Sequence, residues 1–322
     1  MRSSGLIPLI QPLVMSGASG MGEEKTILIT GANGLVGHRA CGYLRKTTPG
    51  KIIGTSRGEG VNVDLVSNLT DPADVDRIRT TTHPDIIIHT AAISRTDVCE
   101  QKQELCFETN VTATANLCEA FPEAKFIFFS TYAVYNTPVG RCDEECITCA
   151  SNYYIKTKLE AEEHVTKLAD HVILRPSVIF GYVNHHQNSK NYFMQLLANI
   201  RMKKVMQSPK DQLFNPIHVD IVVEILKRII ESDVCGTFNI GSNEDISKFE
   251  FNRHIMEKFG FNSEYLEGID SKLLTVKRPT IGTISSAKVQ RELHYEIPPL
   301  EKMIDALYTT SNKDVNRYLA ES

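Results

Sequence analysis

Thr26-Ile27-Leu28-Ile29-Thr30-Gly31-Ala32-Asn33-Gly34-Leu35-Val36-Gly37 is the stretch that decides the fold. Its first five residues read as a short strand buried on both faces. Three glycines at three-residue spacing follow at once, and Leu35 to Leu44 then has the pattern of a helix. A strand that turns sharply into a helix leaves the first helical amides unpaired and aimed at whatever lies over the turn. Glycines there allow the tight turn, the close backbone approach and the helix–strand packing that a pyrophosphate site needs. Three glycines alone are a weak signal, but the position between strand and helix makes this one specific. The similar run Gly17-Ala18-Ser19-Gly20-Met21-Gly22 has no strand before it and no helix after it, and is set aside.

Working outward, apolar runs alternate with helical patterns. Strands are expected at Lys51–Ser56, Val61–Val63, Asp85–His89, Lys125–Phe129 and His171–Leu174. Helices are expected at Asp71–Thr80, Glu104–Ala120 and Tyr153–Ala169. Strands apolar at every position belong to parallel sheets covered on both faces, so the expected class is α/β, a doubly wound parallel (Rossmann) sheet. After Gly181 the elements become shorter and less regular. The expected domains are a flexible extension over 1–23, a dinucleotide-binding domain over 24–180, and a smaller, mostly helical substrate-binding part over 181–322. Segments around 215–241 are expected to return to the main sheet, Val234–Ile240 as a strand.

The bulk properties fit a globular protein of 322 residues, 42% hydrophobic and 23% charged, with a net charge of −4. No basic stripe with interleaved aromatics appears, which argues against nucleic acid as a partner. Leu6 to Val14 is apolar but broken by Pro8 and Pro12, and no stretch is long enough to span a bilayer. The eight cysteines are scattered along the chain, so they are expected to be reduced thiols of a cytoplasmic protein.

The strongest catalytic signal is Tyr154-Ile155-Lys156-Thr157-Lys158. Tyr154 and Lys158 are four apart on one helix face, which continues as Ala161, Val165 and Leu168. A tyrosine and a lysine at the head of an apolar stripe are costly without partners. Chemistry supplies a reason: a reductase must protonate a carbonyl oxygen as hydride reaches carbon. A phenol with a pKa near about 10 becomes a better proton donor beside an ammonium. Tyr153 is a competing phenol, but only Tyr154 has a lysine four residues on. A hydroxyl partner is expected at the end of the fifth strand, at Thr131 or its neighbour Ser130.

The glycine spacing, with Tyr154 and Lys158, resembles the extended short-chain dehydrogenase/reductases. Within them the chain is most similar to the dTDP-4-dehydrorhamnose reductase family. His89-Thr90-Ala91-Ala92, Asp97-Val98-Cys99-Glu100, Asn110, Leu174-Arg175-Pro176, Asn215-Pro216-Ile217-His218-Val219-Asp220, Gly236 to Gly241 and Lys277-Arg278-Pro279 carry the likeness over about residues 25 to 310. The resemblance implies NAD(P)H-dependent reduction of a 4-keto group on a nucleotide-linked 6-deoxysugar. It implies cofactor contacts at Gly31, Asn33, Gly34, Leu35, Val36, Gly37, Asp64, Leu65, Ala91, Ala92, Tyr154 and Lys158. Thr131, Tyr154 and Lys158 would be catalytic. Thr131, Asn215 and Arg278 would contact substrate, with His218 on the substrate side. A homodimer is implied too.

Cofactor choice turns on the end of the second strand. An acidic residue there favours NAD(H), whereas this chain has Thr55-Ser56-Arg57. Arg57 can pair with a 2′-phosphate, so NADP(H) is favoured over NAD(H).

The chain also departs from the family. Tyr132-Ala133-Val134-Tyr135-Asn136-Thr137 is closer to the epimerases and dehydratases of the same branch, Ile155 stands where glycine is usual, and tryptophan is absent altogether. An epimerase or dehydratase is therefore the alternative enzyme. A non-catalytic regulatory subunit, like the beta subunit of methionine adenosyltransferase, is the alternative outside enzymes. Cys142, Cys146 and Cys149 have cluster-like spacing but no evident fourth ligand, so no metal site is expected. His185-His186 reads as a solvated pair.

Overall fold

A computed structural model describes residues 24–135, 139–183, 191–273 and 280–320. Its first half contains β1 (Thr26–Thr30), α1 (Leu35–Thr47), β2 (Lys51–Ser56), β3 (Leu65–Val66), α2 (Pro72–Thr82) and β4 (Ile86–His89). Then come α3 (Thr96–Gln101), α4 (Gln103–Phe107), a π-helical turn at Glu108–Thr112 and α5 (Ala113–Ala120). β5 (Lys125–Phe129), α6 (Tyr153–Val165) and β6 (His171–Pro176) complete that half.

The remainder contains β7 (Ile179–Phe180), α7 (Tyr192–Arg201), β8 (Met206–Pro209), β9 (Leu213–Phe214), β10 (Ile217–His218), α8 (Val219–Ile230) and β11 (Gly236–Ile240). β12 (Ile246–Ser247), α9 (Lys248–Phe259), β13 (Leu266–Ile269), β14 (Ile281–Gly282), α10 (Ala287–Glu292) and α11 (Leu300–Ala320) follow.

The main sheet has seven parallel strands in the order β11-β6-β5-β4-β1-β2-β3. The order reverses between β1 and β4, and such a switch point opens a crevice at the carboxyl ends of the strands. β1, β4 and β5 are almost wholly buried, because helices cover both faces of the sheet. One core joins α1, α7, α8, α9 and α11 to one face; the other lies under α2, α5 and α6. No described helix is long and apolar enough to cross a membrane.

Several boundaries differ from the expectations. The third strand forms at Leu65–Val66, not 61–63, because Val61 and Asn62 make a turn in which Val61 is 75% exposed. The long helix expected over 104–120 begins earlier and is interrupted, with a break at Lys102 and the π turn around Asn110. Of the segments around 215–241, only β11 joins the main sheet; β10 pairs with β7. The expectation of free thiols fails at one pair: Cys99 and Cys106 form a disulfide with their Cα atoms 5.2 Å apart. The break at Lys102 turns α3 back on α4, which lets residues seven apart meet. Residues 1–23, His185-His186 and Arg278, for which the sequence carries expectations, lie outside the described residues.

Candidate active site

The glycine loop is built as its spacing requires. Gly31 has φ of +69°, and a Cβ there would stand 2.8 Å from both Ala91 N and Thr90 Oγ1. At Gly37 a Cβ would lie 2.3 Å from the Gly31 carbonyl, so α1 can cross the loop only without a side chain there. Gly34 is the N-cap of α1 and makes no side-chain cap, and no acidic residue occupies the first turn. The amides of Leu35 and Val36 therefore open the helix without a side-chain cap, the arrangement that receives a phosphate. The Thr90 hydroxyl donates to Thr30 O at 2.6 Å and the Ala91 amide donates to Thr30 Oγ1 at 3.3 Å. These bonds hold the β4 loop, with Ala91 and the exposed Ala92, beside the glycines.

Around the end of β2, Asn33 behaves differently from the cofactor contact expected of it. Its Nδ2 donates to Gly58 O at 2.9 Å, Glu59 O at 3.2 Å and Ser56 Oγ at 3.3 Å, all within the protein. Arg57, carried by that segment, is exposed and has no bond to a described residue. Asp64 accepts from Gly54 N at 2.7 Å and from Arg45 at 2.5 Å, and Leu65 and Ala91 each pack against the core on that face of the sheet.

On the other side of the switch point, α6 starts at an Asn152 cap, whose Oδ1 accepts from Ile155 N at 2.9 Å. The cap places Tyr154 and Lys158 one turn apart, facing the ends of β4 and β5. The Thr131 hydroxyl accepts from Ala133 N at 3.2 Å and lies near enough to the Tyr154 phenol to lower its pKa. Tyr153 turns outward, its amide bonded to Glu100. Lys158 is 1% exposed, with Nζ 4.0 Å from the centre of the Phe128 ring.

The electrostatics refine one expectation. Burial pushes the Tyr154 phenol up to about 12, with neighbouring Thr131 as the main opposing influence. The Lys158 ammonium rests on Phe128 and does not pull the phenol down. Burial lowers Lys158 itself to about 7, against the pull of the Glu162 carboxylate. His89, buried between Thr30 and Thr114, is lowered to about 3 by burial and by the Lys158 charge, so its imidazole is neutral.

Below these groups lies a buried network that sequence reading did not assemble. Glu162 receives both guanidinium arms of Arg175, and Arg175 Nη1 donates to Tyr135 Oη at 2.8 Å. Tyr135 donates to Asn239 Oδ1 at 3.0 Å, and Asn239 Nδ2 donates to Cys142 O at 3.0 Å. Asn110 forms a second clamp. It bonds both backbone groups of Ile93 and donates to Thr157 Oγ1 at 3.0 Å, tying the loop after β4 to α6. The sequence signal was present in the polar residue inside an apolar helix.

Two residues expected near substrate are spent within the fold. Asn215 is fully buried; its Nδ2 donates to Ser242 O and Ile284 O, and its Oδ1 accepts from Ile284 N. It shapes the wall on which the 281–284 segment sits and has no donor left for a ligand. His218 is buried against Phe180 and beside Asp220, which pairs with Arg39 of α1. Cys142 is buried while Cys149 is exposed, and no metal-ligand cluster exists among the described residues.

A nicotinamide dinucleotide fits this crevice on two independent observations. The Gly31–Gly37 cradle is one a Cβ would fill. Ser130 and Ser177, at the carboxyl ends of the neighbouring strands β5 and β6, carry buried hydroxyls with no partner among the described residues. Buried polar groups are otherwise nearly always satisfied.

This fold is that of the extended short-chain dehydrogenase/reductases. Residues 25–312 match the model of the RmlD substrate binding domain, and the chain belongs to that family. Methionine adenosyltransferase 2 subunit beta of Rattus norvegicus is 28% identical over 276 residues, covering 83% of this chain and 82% of that protein. The probable low-salt glycan biosynthesis reductase Agl14 of Haloferax volcanii is 25% identical over 288 residues, 87% of this chain and 96% of that protein. Among solved structures, dTDP-4-dehydrorhamnose reductase of Bacillus anthracis in complex with NADP superposes with a TM-score of 0.78. It is 21% identical, and the match covers 89% of this chain and 99% of that one.

Proposed function

We propose that this protein is an NADPH-dependent reductase of a 4-keto group on a nucleotide-linked 6-deoxysugar. The observation that carries the reading is that Tyr154 and Lys158 stand one turn apart on α6, with Thr131 close enough to the phenol to lower its pKa.

The cofactor, when bound, supplies the hydride. The protein supplies the proton and the geometry. Thr131 orients the carbonyl oxygen, and Tyr154, protonated throughout the neutral range, gives its proton to that oxygen as negative charge develops. Lys158 holds the ribose side and returns positive charge to the site. The first-turn amides of α1 and the glycines take the pyrophosphate. Arg57 supports NADP(H) over NAD(H) because a guanidinium pairs bidentately with a phosphate.

A second reading, a non-catalytic subunit of a larger assembly, is favoured by the 28% identity to methionine adenosyltransferase 2 subunit beta. One experiment separates the two. NADPH oxidation is followed on adding dTDP-, UDP- and GDP-linked 4-keto-6-deoxysugars. Stoichiometric loss of NADPH absorbance supports the reductase. Product formed without net NADPH use indicates an epimerase or dehydratase. Cofactor binding with no turnover on any of them sinks the enzymatic reading and supports the subunit.

A further inference from the structure

The segment that follows β2 has no secondary structure of its own, yet it carries Arg57. Residues 57–60 are all exposed, so packing does not hold them in place. Apart from the Gly60 carbonyl, which accepts from Val63 N at 3.1 Å, what holds them is one side chain from the glycine loop. Asn33 Nδ2 has two hydrogens and three acceptors around it: Gly58 O at 2.9 Å, Glu59 O at 3.2 Å and Ser56 Oγ at 3.3 Å. They bracket Arg57 on both sides in sequence. The other edge of the carboxamide is equally confined, since a Cβ on Gly60 would lie 1.9 Å from Asn33 Oδ1. Asn33 is thus gripped between the backbone of 58–59 and Gly60, and its own backbone is fixed by the neighbouring Ala32 amide, which donates to Thr55 O at 3.1 Å.

Beyond this point the chain is pinned again. Asn62 bonds His38 O and receives Arg45, and Asp64 accepts from Gly54 N. Between Ser56 and Asn62 the contacts through Asn33 are the side-chain bonds that the described residues supply. Arg57 itself has no bond to a described residue, so its guanidinium is free to take an anion.

We propose that Asn33 is a positioning residue for cofactor choice: its carboxamide fixes the 56–60 segment so that Arg57 is presented to the 2′-phosphate that distinguishes NADP(H) from NAD(H). The proposal rests on the NADP(H) reading above and adds a residue to it. The three donations of Asn33 go to protein groups, so it acts on the cofactor through Arg57. A flexible guanidinium on an unpinned loop must be ordered when the phosphate arrives, and that ordering cost falls on NADP(H) alone. NADH, which lacks the phosphate, does not draw on Arg57.

The test is a set of equilibrium titrations of NADPH and NADH, read by nucleotide fluorescence, on the full chain and on Arg57→Ala, Asn33→Ala and Gly60→Ala. Gly60→Ala pushes the carboxamide out of its seat from the opposite side without touching Asn33 itself. Melting temperatures confirm that each variant is folded, and either loop variant suffices if the other is not. The expected result is a wild-type preference for NADPH that Arg57→Ala removes. Asn33→Ala and Gly60→Ala each reduce it about tenfold, a loss comparable to one good charge-assisted contact, while NADH affinity stays within about twofold. If the wild type shows no preference for NADPH, the NADP(H) reading fails and this inference with it. If Arg57→Ala removes the preference but the loop variants keep it, the inference alone is overturned. It is overturned too if the loop variants weaken NADPH and NADH equally, because Asn33 would then only shape the glycine loop.

Discussion

Glu162 lies one helical turn beyond Lys158 on α6 and grips Arg175 of β6 through both carboxylate oxygens, at 3.1 and 2.6 Å. Both side chains are about nine-tenths buried. The pair bolts α6 to the sheet, and its carboxylate is the charge that holds the Lys158 pKa up against burial. Arg175→Met leaves a buried carboxylate without its partner. The expected loss is about 3–5 kcal/mol of stability, measured by urea denaturation. A loss below about 1 kcal/mol would mean that the pair is not structural.

Replacing the acid gives a different signature. Glu162→Gln removes the charge that favours the Lys158 ammonium, so the lysine pKa falls further below about 7. In the proposed role Lys158 holds the ribose side as an ammonium, which is present below its pKa and lost as pH rises through it. NADPH affinity in the wild type is therefore expected to weaken as pH rises through about 7, and in Glu162→Gln that weakening moves to lower pH. Titrations across about pH 5 to pH 9 check it, and an unmoved midpoint would separate Glu162 from Lys158.

Lys158 also leaves a mark on folding. Its pKa is about 7 folded and 10.5 in the reference state, so between those values the unfolded chain binds more protons. Stability from this group therefore rises with pH across that window and is lowest below it. Lys158→Met keeps the volume and removes the charge. Relative to the wild type it is expected to gain stability at about pH 6, with the gain shrinking as pH rises towards 10. A gap that stays constant with pH would show that the buried ammonium is not its cause.

Much of this architecture is legible in the sequence because it depends on local rules. Unbroken apolar runs at Ile27–Ile29 and Phe126–Phe129 announce a parallel sheet, and Tyr154 and Lys158 need only helical periodicity to share a face. The features that escaped depend on long-range encounters. Asn33 meets residues 56–59 only because β2 lies beside β1. Asn215 carries no mark in the sequence that its amide will be consumed by Ser242 and Ile284. The π turn at Glu108–Thr112 adds a residue that 3.6-residue periodicity does not register, and the break at Lys102 hid the Cys99–Cys106 pairing. The phenol pKa was misjudged for a related reason. Burial of Tyr154 outweighs a cation that the sequence places nearby but the fold seats on Phe128.

That disulfide joins α3 to α4 next to Asn110, whose Nδ2 lies 3.3 Å from Cys106 Sγ. Closing a short loop limits the unfolded chain, which is worth about 2–3 kcal/mol. Treatment with a dithiol reductant, or Cys99→Ser, is expected to lower the melting temperature by several degrees, about 2–4 °C per kcal/mol for a chain of this size. Scans with and without reductant measure it. An unchanged melting temperature in both cases would argue that the bond does not form in solution.

Tyr154 gives the sharpest test of the chemistry. Its phenol, pushed up to about 12, is protonated wherever the protein is stable, so it can serve as an acid with no ionisation step of its own. The turnover of ketone reduction at saturating NADPH is then expected to show no limb from Tyr154 between about pH 6 and pH 9. Tyr154→Phe removes the proton while leaving the ring that packs beside Tyr132. It is expected to lower kcat by about 10²–10⁴-fold with NADPH affinity nearly unchanged, because the lost interaction acts in the transition state. Thr131→Val loses the orienting hydroxyl and its influence on the phenol, and falls between that variant and the wild type. Should Tyr154→Phe turn over at the normal rate, proton donation would have to come from another group, and Ser130, buried with an unpartnered hydroxyl at the end of β5, is the next to examine.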